Sequence, residues 1–313
     1  MRALVTGAAG FVGSSISAEL LASGWDVRGV DALSDYYDPA LKRENLERLA
    51  PGLELTIGEL QHLDLPSLLD GVDVVFHQAG QPGVRSSWGT EFGVYLEANV
   101  AATQALLEAV RRAPHVERVV YASSSSVYGD AERFPTSELD RPAPISPYGV
   151  TKLAAEHLCS LYASQFGLPT VSLRYFTVFG PRQRPDMAFT RFLTAAAKGD
   201  PVTVFGTGEQ VRDFTFVDDV VAANVLAATT DIKPGTVLNI AGGTNVSVNE
   251  VLEEIGSLAG SSVAVRRLDR SDGDVARTGG DASRAREVLG WEPRVGIAEG
   301  LARQWEWVCG RLQ

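Results

Sequence analysis

Tyr148 and Lys152 stand four residues apart in Tyr148-Gly149-Val150-Thr151-Lys152, downstream of the serine run Ser123-Ser124-Ser125-Ser126. On a helix that spacing stacks both side chains on one face, the ammonium beside the phenol. A neighbouring cation favours the phenolate and is expected to draw the tyrosine pKa down toward neutrality, where the group can take a proton from an alcohol and return it to a ketone. The chain has eight tyrosines but four lysines in 313 residues, so chance supplies roughly 0.1 such pairs and the context must decide what this one means.

The elements that would position this pair begin at the N-terminus. Ala3-Leu4-Val5-Thr6 reads as a short buried strand, followed by Gly7-Ala8-Ala9-Gly10-Phe11-Val12-Gly13 and an amphipathic helix to about Leu21. Strand, glycine turn and helix come in the order a dinucleotide site requires. Gly7 permits the tight turn, Gly10 lets backbone amides approach a pyrophosphate, and Gly13 lets helix pack on strand. Residues 25–31 form the next strand pattern, ending in Asp31, where an acid binds adenosine ribose hydroxyls and repels a 2′-phosphate, so NAD is expected over NADP. A capping or turn aspartate is the alternative.

Further strands are expected at 53–57, 72–77, 116–121 and 170–173, with helical patterns at 40–49, 95–112 and 148–166. That alternation predicts an α/β fold with a doubly wound parallel sheet. After residue 174 the pattern is less regular, broken at Gly180-Pro181, Gly199-Asp200-Pro201 and Gly206-Thr207-Gly208. The expected division is a Rossmann domain over 1–174, with a return segment near 213–230, and a smaller substrate-binding lobe over 175–313.

Composition excludes several classes. With 45% hydrophobic and 21% charged residues the chain is an ordinary globular protein, and its net charge of −11 disfavours nucleic acid or an anionic membrane as partner. Cys159 and Cys309 form no disulfide framework, and His62, His77, His115 and His157 have no metal-ligand spacing. No secretory leader or spanning segment is expected, which points to the cytoplasm.

The glycine turn, Asp31, the serine run and Tyr148 with Lys152 resemble the extended short-chain dehydrogenase/reductases that act on nucleotide sugars, as do Arg212-Asp213-Phe214-Thr215-Phe216-Val217-Asp218-Asp219 and Leu289-Gly290-Trp291-Glu292-Pro293. Two stretches are similar to UDP-glucuronate 4-epimerases in particular. They are Asp35-Tyr36-Tyr37-Asp38-Pro39-Ala40-Leu41-Lys42 and the more specific Thr177-Val178-Phe179-Gly180-Pro181-Arg182-Gln183-Arg184-Pro185-Asp186-Met187-Ala188. Gln81-Pro82-Gly83-Val84-Arg85 resembles their Ala-Gly-Val-Arg loop, with Pro82 a departure.

The resemblance implies a tightly held NAD beside Tyr148, with Ser124 and Lys152 assisting, and a UDP-sugar oxidised at C4, turned over and reduced on its other face. It places Glu59, Leu60, Gln78, Ala79 and Asn99 along the cofactor, although Glu59 replaces the usual aspartate and Asn99 could equally be an N-cap. It assigns Ser125, Ser126, Thr177 and Arg184 to the substrate carboxylate, and Arg85, Arg212 and Arg270 to the diphosphate. Related decarboxylases carry a glutamate where Ser126 aligns, and many epimerases of neutral UDP-sugars an asparagine where Thr177 aligns. A neutral UDP-hexose 4-epimerase, a UDP-glucuronate decarboxylase and an NAD-sensing protein without turnover remain the alternatives. Helices near 95–112 and 148–166 are expected to form a homodimer interface, as in many relatives.

Overall fold

The short apolar runs become strands because their alternate residues face two separate cores. In a computed structural model, which describes every residue except 50, 270–274, 276 and 313, Leu4 and Val75 pack into one core while Val5, Val74 and Phe76 pack into the other. The first half runs β1 (Arg2–Thr6), α1 (Phe11–Ala22), β2 (Asp26–Asp31), α2 (Pro39–Glu47), β3 (Leu53–Ile57), α3 (Leu65–Leu69) and β4 (Val74–His77). It continues through α4 (Phe92–Tyr95), a turn of π-helix (Leu96–Ala101), α5 (Ala102–Val110), β5 (Arg118–Ser124), α6 (Pro147–Phe166) and β6 (Thr170–Tyr175). The rest comprises β7 (Thr177–Phe179), α7 (Ala188–Lys198), β8 (Val202–Phe205), β9 (Val211–Phe216), α8 (Val217–Thr229), β10 (Thr236–Ile240), β11 (Thr244–Ser247), α9 (Val248–Ala259), β12 (Val265–Leu268), α10 (Ser283–Leu289) and α11 (Ile297–Leu312).

Seven parallel strands form the large sheet in the order β10-β6-β5-β4-β1-β2-β3. This is the expected doubly wound fold. The chain's return to it is longer than the 213–230 anticipated: α8 packs on α1, and β10 then adds to the edge beside β6. β9 instead joins the small sheet β11-β9-β7, and β8 pairs with β12. Phe179, Phe189, Phe214 and Phe216 knit β7, α7 and β9 together, with Phe189 and Phe214 ring centres 4.4 Å apart.

Strand order reverses between β1 and β4, where a doubly wound sheet opens a crevice. Gly7, at φ +70°, closes the turn after β1, and a Cβ there would lie 2.9 Å from the Ala79 nitrogen. A Cβ on Gly13 would sit 2.0 Å from the Gly7 carbonyl oxygen. The turn after β1 therefore needs residues without side chains to touch both the loop after β4 and its own helix.

Candidate active site

A cleft of about 830 Å3 runs from this switch point toward the small lobe. Gly7, Gly10, Phe11, Val12, Gly13, Asp31, Glu59, Leu60, Gln78, Ala79 and Asn99 line it, as do Ser124, Ser125, Ser126, Tyr148, Lys152, Thr177 and Arg184. The glycine turn that lines the cleft at the head of α1, with an acid at the end of β2, fits a dinucleotide.

Ser146 caps α6 by accepting from the Gly149 amide at 3.1 Å, and a Cβ on Gly149 would lie 2.5 Å from the Ser126 carbonyl oxygen. The glycine lets the first turn of α6 press against the serine run, and Tyr148 and Ser124 line the cleft together. Ser124 in turn accepts from the Ser126 amide at 3.1 Å. Lys152, one turn along α6, is buried with its ammonium 4.6 Å from the centre of the Tyr121 ring. Asn99 does not cap a helix. It lies in the π-helical turn, accepts from the Gln81 amide, and donates to the Gln81 carbonyl and to Thr151, so it clamps the cofactor-side loop beside α6.

The expected depression of the tyrosine pKa is not found. Burial raises the Tyr148 phenol above its ordinary value, and the opposing Ser124 hydrogen bond and Arg184 charge are outweighed. Burial also lowers the Lys152 ammonium to about 8, against the Cys159 and Glu156 charges that raise it. Spacing foresaw the shared face, but burial sets the direction of the Tyr148 shift and the cation that opposes it is Arg184, not Lys152.

His77 ends β4 beneath the switch point, fully buried between Thr6 and Thr103 at 2.8 and 2.9 Å. Thr103 donates to the Asn99 carbonyl, so its oxygen accepts from Nε2–H, which leaves Nδ1 to accept from Thr6. Burial, with the Lys152 charge second, pushes the imidazole down to about 3. The unfolded chain therefore binds a proton below pH 6.5 that the folded one refuses, and stability falls as pH drops from 6.5 toward 3. This site alone is expected to cost about 2 kcal/mol at pH 5. Urea midpoints at pH 7 and pH 5 should differ less in His77→Gln than in the native chain.

Arg184 is presented from the loop between β7 and α7. Gln183 anchors that loop, donating to the Val178 carbonyl at 3.0 Å and accepting from Thr190 and Gln304 at 3.0 Å. Arg182 adopts φ +70°, a strained left-handed turn for a non-glycine residue. Arg184 pairs bidentately with Asp186 at 3.0 Å and lies 6.0 Å from the Tyr36 ring centre.

Two expected diphosphate ligands do not line the cleft. The Arg85 guanidinium lies 4.1 Å over the Phe205 ring, and that of Arg212 donates to the carbonyls of Val211 and Val275. Arg270 lies outside the described residues. Conversely, Tyr36, Tyr37, Lys42 and Tyr175 line the cleft without having been singled out individually, although the first three sit in the quoted stretch after β2.

Residues 3–241 match the NAD dependent epimerase/dehydratase family. Among curated relatives, a Bacillus subtilis protein described as an uncharacterized UDP-glucose epimerase is 42% identical over 309 residues, covering 97% of this chain and 96% of its own. A UDP-glucuronate 4-epimerase from Thermodesulfobacterium geofontis is 36% identical, covering 97% of this chain and 95% of its own. Among solved structures, UDP-glucuronic acid 4-epimerase from Bacillus cereus, in complex with UDP-glucuronic acid and NAD, superposes with a TM-score of 0.95 at 39% identity over 100% of both chains.

Proposed function

The chain belongs to the NAD dependent epimerase/dehydratase family, and on that premise we propose that it interconverts UDP-glucuronate and UDP-galacturonate by inverting C4 with a retained NAD. One observation carries the choice of substrate. The cleft wall that holds Tyr148 and Ser124 also holds Arg184, together with the neutral hydroxyls of Ser125, Ser126 and Thr177.

Gly7, Gly10 and Gly13 would cradle the pyrophosphate, Asp31 the adenosine ribose, and Gln78, Ala79 and Lys152 the nicotinamide half. When bound, NAD supplies the acceptor and then the donor of the hydride at C4. Tyr148 removes the 4-hydroxyl proton, Ser124 holds the same oxygen, and Lys152 places a positive charge nearby. The 4-keto sugar turns over in the cleft so that the opposite face of C4 meets the hydride donor, and Tyr148 returns the proton to the 4-oxygen.

A 4-keto uronate is a β-keto acid, prone to lose carbon dioxide. Among the described residues the carboxylates lining the cleft are Asp31, Glu59 and Glu97, none of them in the serine run. Ser125, Ser126 and Thr177 hydrogen-bond the substrate carboxylate without acting as carboxylate acid/bases, and Arg184 orients it near the ring plane, where the breaking bond is misaligned with the ketone π system. Ser126→Glu should divert part of the flux to a UDP-pentose, visible by proton NMR; the absence of pentose would remove that role from Ser126.

A neutral UDP-hexose is the second reading, favoured by the Bacillus subtilis relative and by Asp186, which already balances the Arg184 charge. Arg184→Ala separates the two. We expect kcat/KM for UDP-glucuronate to fall about ten- to hundredfold, the loss of charged hydrogen bonds, with little change for UDP-glucose. An equal fall for both sugars would favour the neutral substrate.

The homodimer is part of this proposal. Val94 and Leu96 near the π-helical turn, and Val150 and Leu161 on α6, are large exposed apolar residues, and a second copy would cover them by a four-helix contact. Cys159 and Cys309 are free thiols, which suits the reducing cytoplasm. No helix among the described residues is long and apolar enough to cross a membrane.

A further inference from the structure

Lys42 occupies a place where a lysine is costly. It is 6% exposed, and its ammonium donates to Ser34 Oγ at 3.1 Å, lies 5.2 Å from the Tyr37 ring centre, and stands 3.7 Å from Asp31 Oδ1, beyond hydrogen-bond reach. An ammonium has three donors, and a buried one is expensive unless they are used. Lys42, Asp31 and Ser34 all line the cleft.

The Asp31 carboxylate is already aimed. Oδ2 accepts from the Ala9 amide at 3.0 Å and Oδ1 from the Leu33 amide at 2.8 Å, so each oxygen keeps further acceptor capacity. Lys42 is held in register with it, because Asn45, three residues on and on the same face of α2, donates to the Ala9 carbonyl at 3.0 Å. The gap between Asp31 and Lys42 thus has an acceptor on one side and a donor on the other. A hydroxyl group satisfies both at once, giving its proton to the carboxylate and accepting from the ammonium.

We propose that Lys42 is a ligand of the adenosine ribose, reading one of its hydroxyls jointly with Asp31. This rests on the NAD reading above. Isothermal titration of the full chain, freed of bound nucleotide, with ADP, 2′-deoxy-ADP and 3′-deoxy-ADP tests it in the native protein and in Lys42→Met. The variant should bind ADP about ten- to hundredfold more weakly, whereas one of the two deoxy nucleotides should bind variant and native protein alike, because the hydroxyl that Lys42 holds is missing. Unchanged ADP binding in the variant would overturn the proposal. So would a loss of equal size with all three nucleotides, which would assign Lys42 to holding α2 and its loop. A native protein that binds no adenine nucleotide would instead bring down the NAD reading. Should Lys42→Met not fold, Lys42→Gln, which keeps an N–H donor without the charge, goes through the same comparison, and its smaller loss should again vanish with that deoxy nucleotide.

Discussion

Tyr148→Phe should lower turnover of UDP-glucuronate by about 10³-fold, within the range of 10² to 10⁴ that a positioned acid/base contributes, while binding of NAD and the UDP-sugar changes little. The substitution removes only the hydroxyl. The ring keeps its edge-to-face contact with Tyr95, at 6.3 Å between centres, and Gly149 still lets α6 press on the serine run. What disappears is the hydroxyl proposed above to move the substrate proton. Single-turnover rates with calorimetric affinities check this, and residual turnover within tenfold of the native rate would place the base elsewhere.

Glu156→Ala should destabilise the fold by about 3 to 5 kcal/mol, the usual consequence of stripping one partner from a buried ion pair. Arg174 grips Glu156 through two nitrogens at 2.9 and 2.6 Å, with side chains only 5% and 3% exposed. Ser123 donates to the same carboxylate at 2.6 Å, and Arg174 also donates to Tyr128. Glu156 lies one turn beyond Lys152 on α6, so this cluster ties α6 to β5 and β6 from behind. In a chain of this size the melting midpoint should drop by roughly 5 to 8 °C. A double variant replacing Glu156 and Arg174 by methionines should recover part of the loss, since it leaves no unpaired charge. A fall of under 1 kcal/mol in Glu156→Ala would mean that water or another group compensates Arg174.

Features fixed by local spacing were legible before the fold was known. The turn from Gly7 to Gly13 works because each glycine answers a nearby steric demand, and Tyr148 shares a face with Lys152 because both lie within five residues of one helix. β3 falls at the expected bounds, Leu53–Ile57, a short, alternately apolar run between turns. Features set by distant partners were not legible. Thr236–Ile240 is an undistinguished run, and only pairing with β6 makes it the edge of the large sheet. The π-helical turn that aims Asn99 at Gln81 interrupts what reads as one continuous helix over 95–112.

The arginines divide in the same way. Arg184 belongs to a long motif whose neighbours Gln183 and Gly180 are built into the loop that carries it, and it reaches the cleft. Arg85 and Arg212, candidates from charge and resemblance, lie outside the lining of the cleft; the Arg85 guanidinium packs over an aromatic face, and that of Arg212 donates to two backbone carbonyls among its contacts.

The central claim is a C4 inversion on a uronic acid sugar with NAD that stays bound, and proton NMR of the purified protein with UDP-glucuronate and no added cofactor tests it most directly. UDP-galacturonate should accumulate to an equilibrium mixture, with neither a pentose signal nor net formation of NADH. A UDP-pentose as main product, or conversion of UDP-glucose with UDP-glucuronate left untouched, would contradict it.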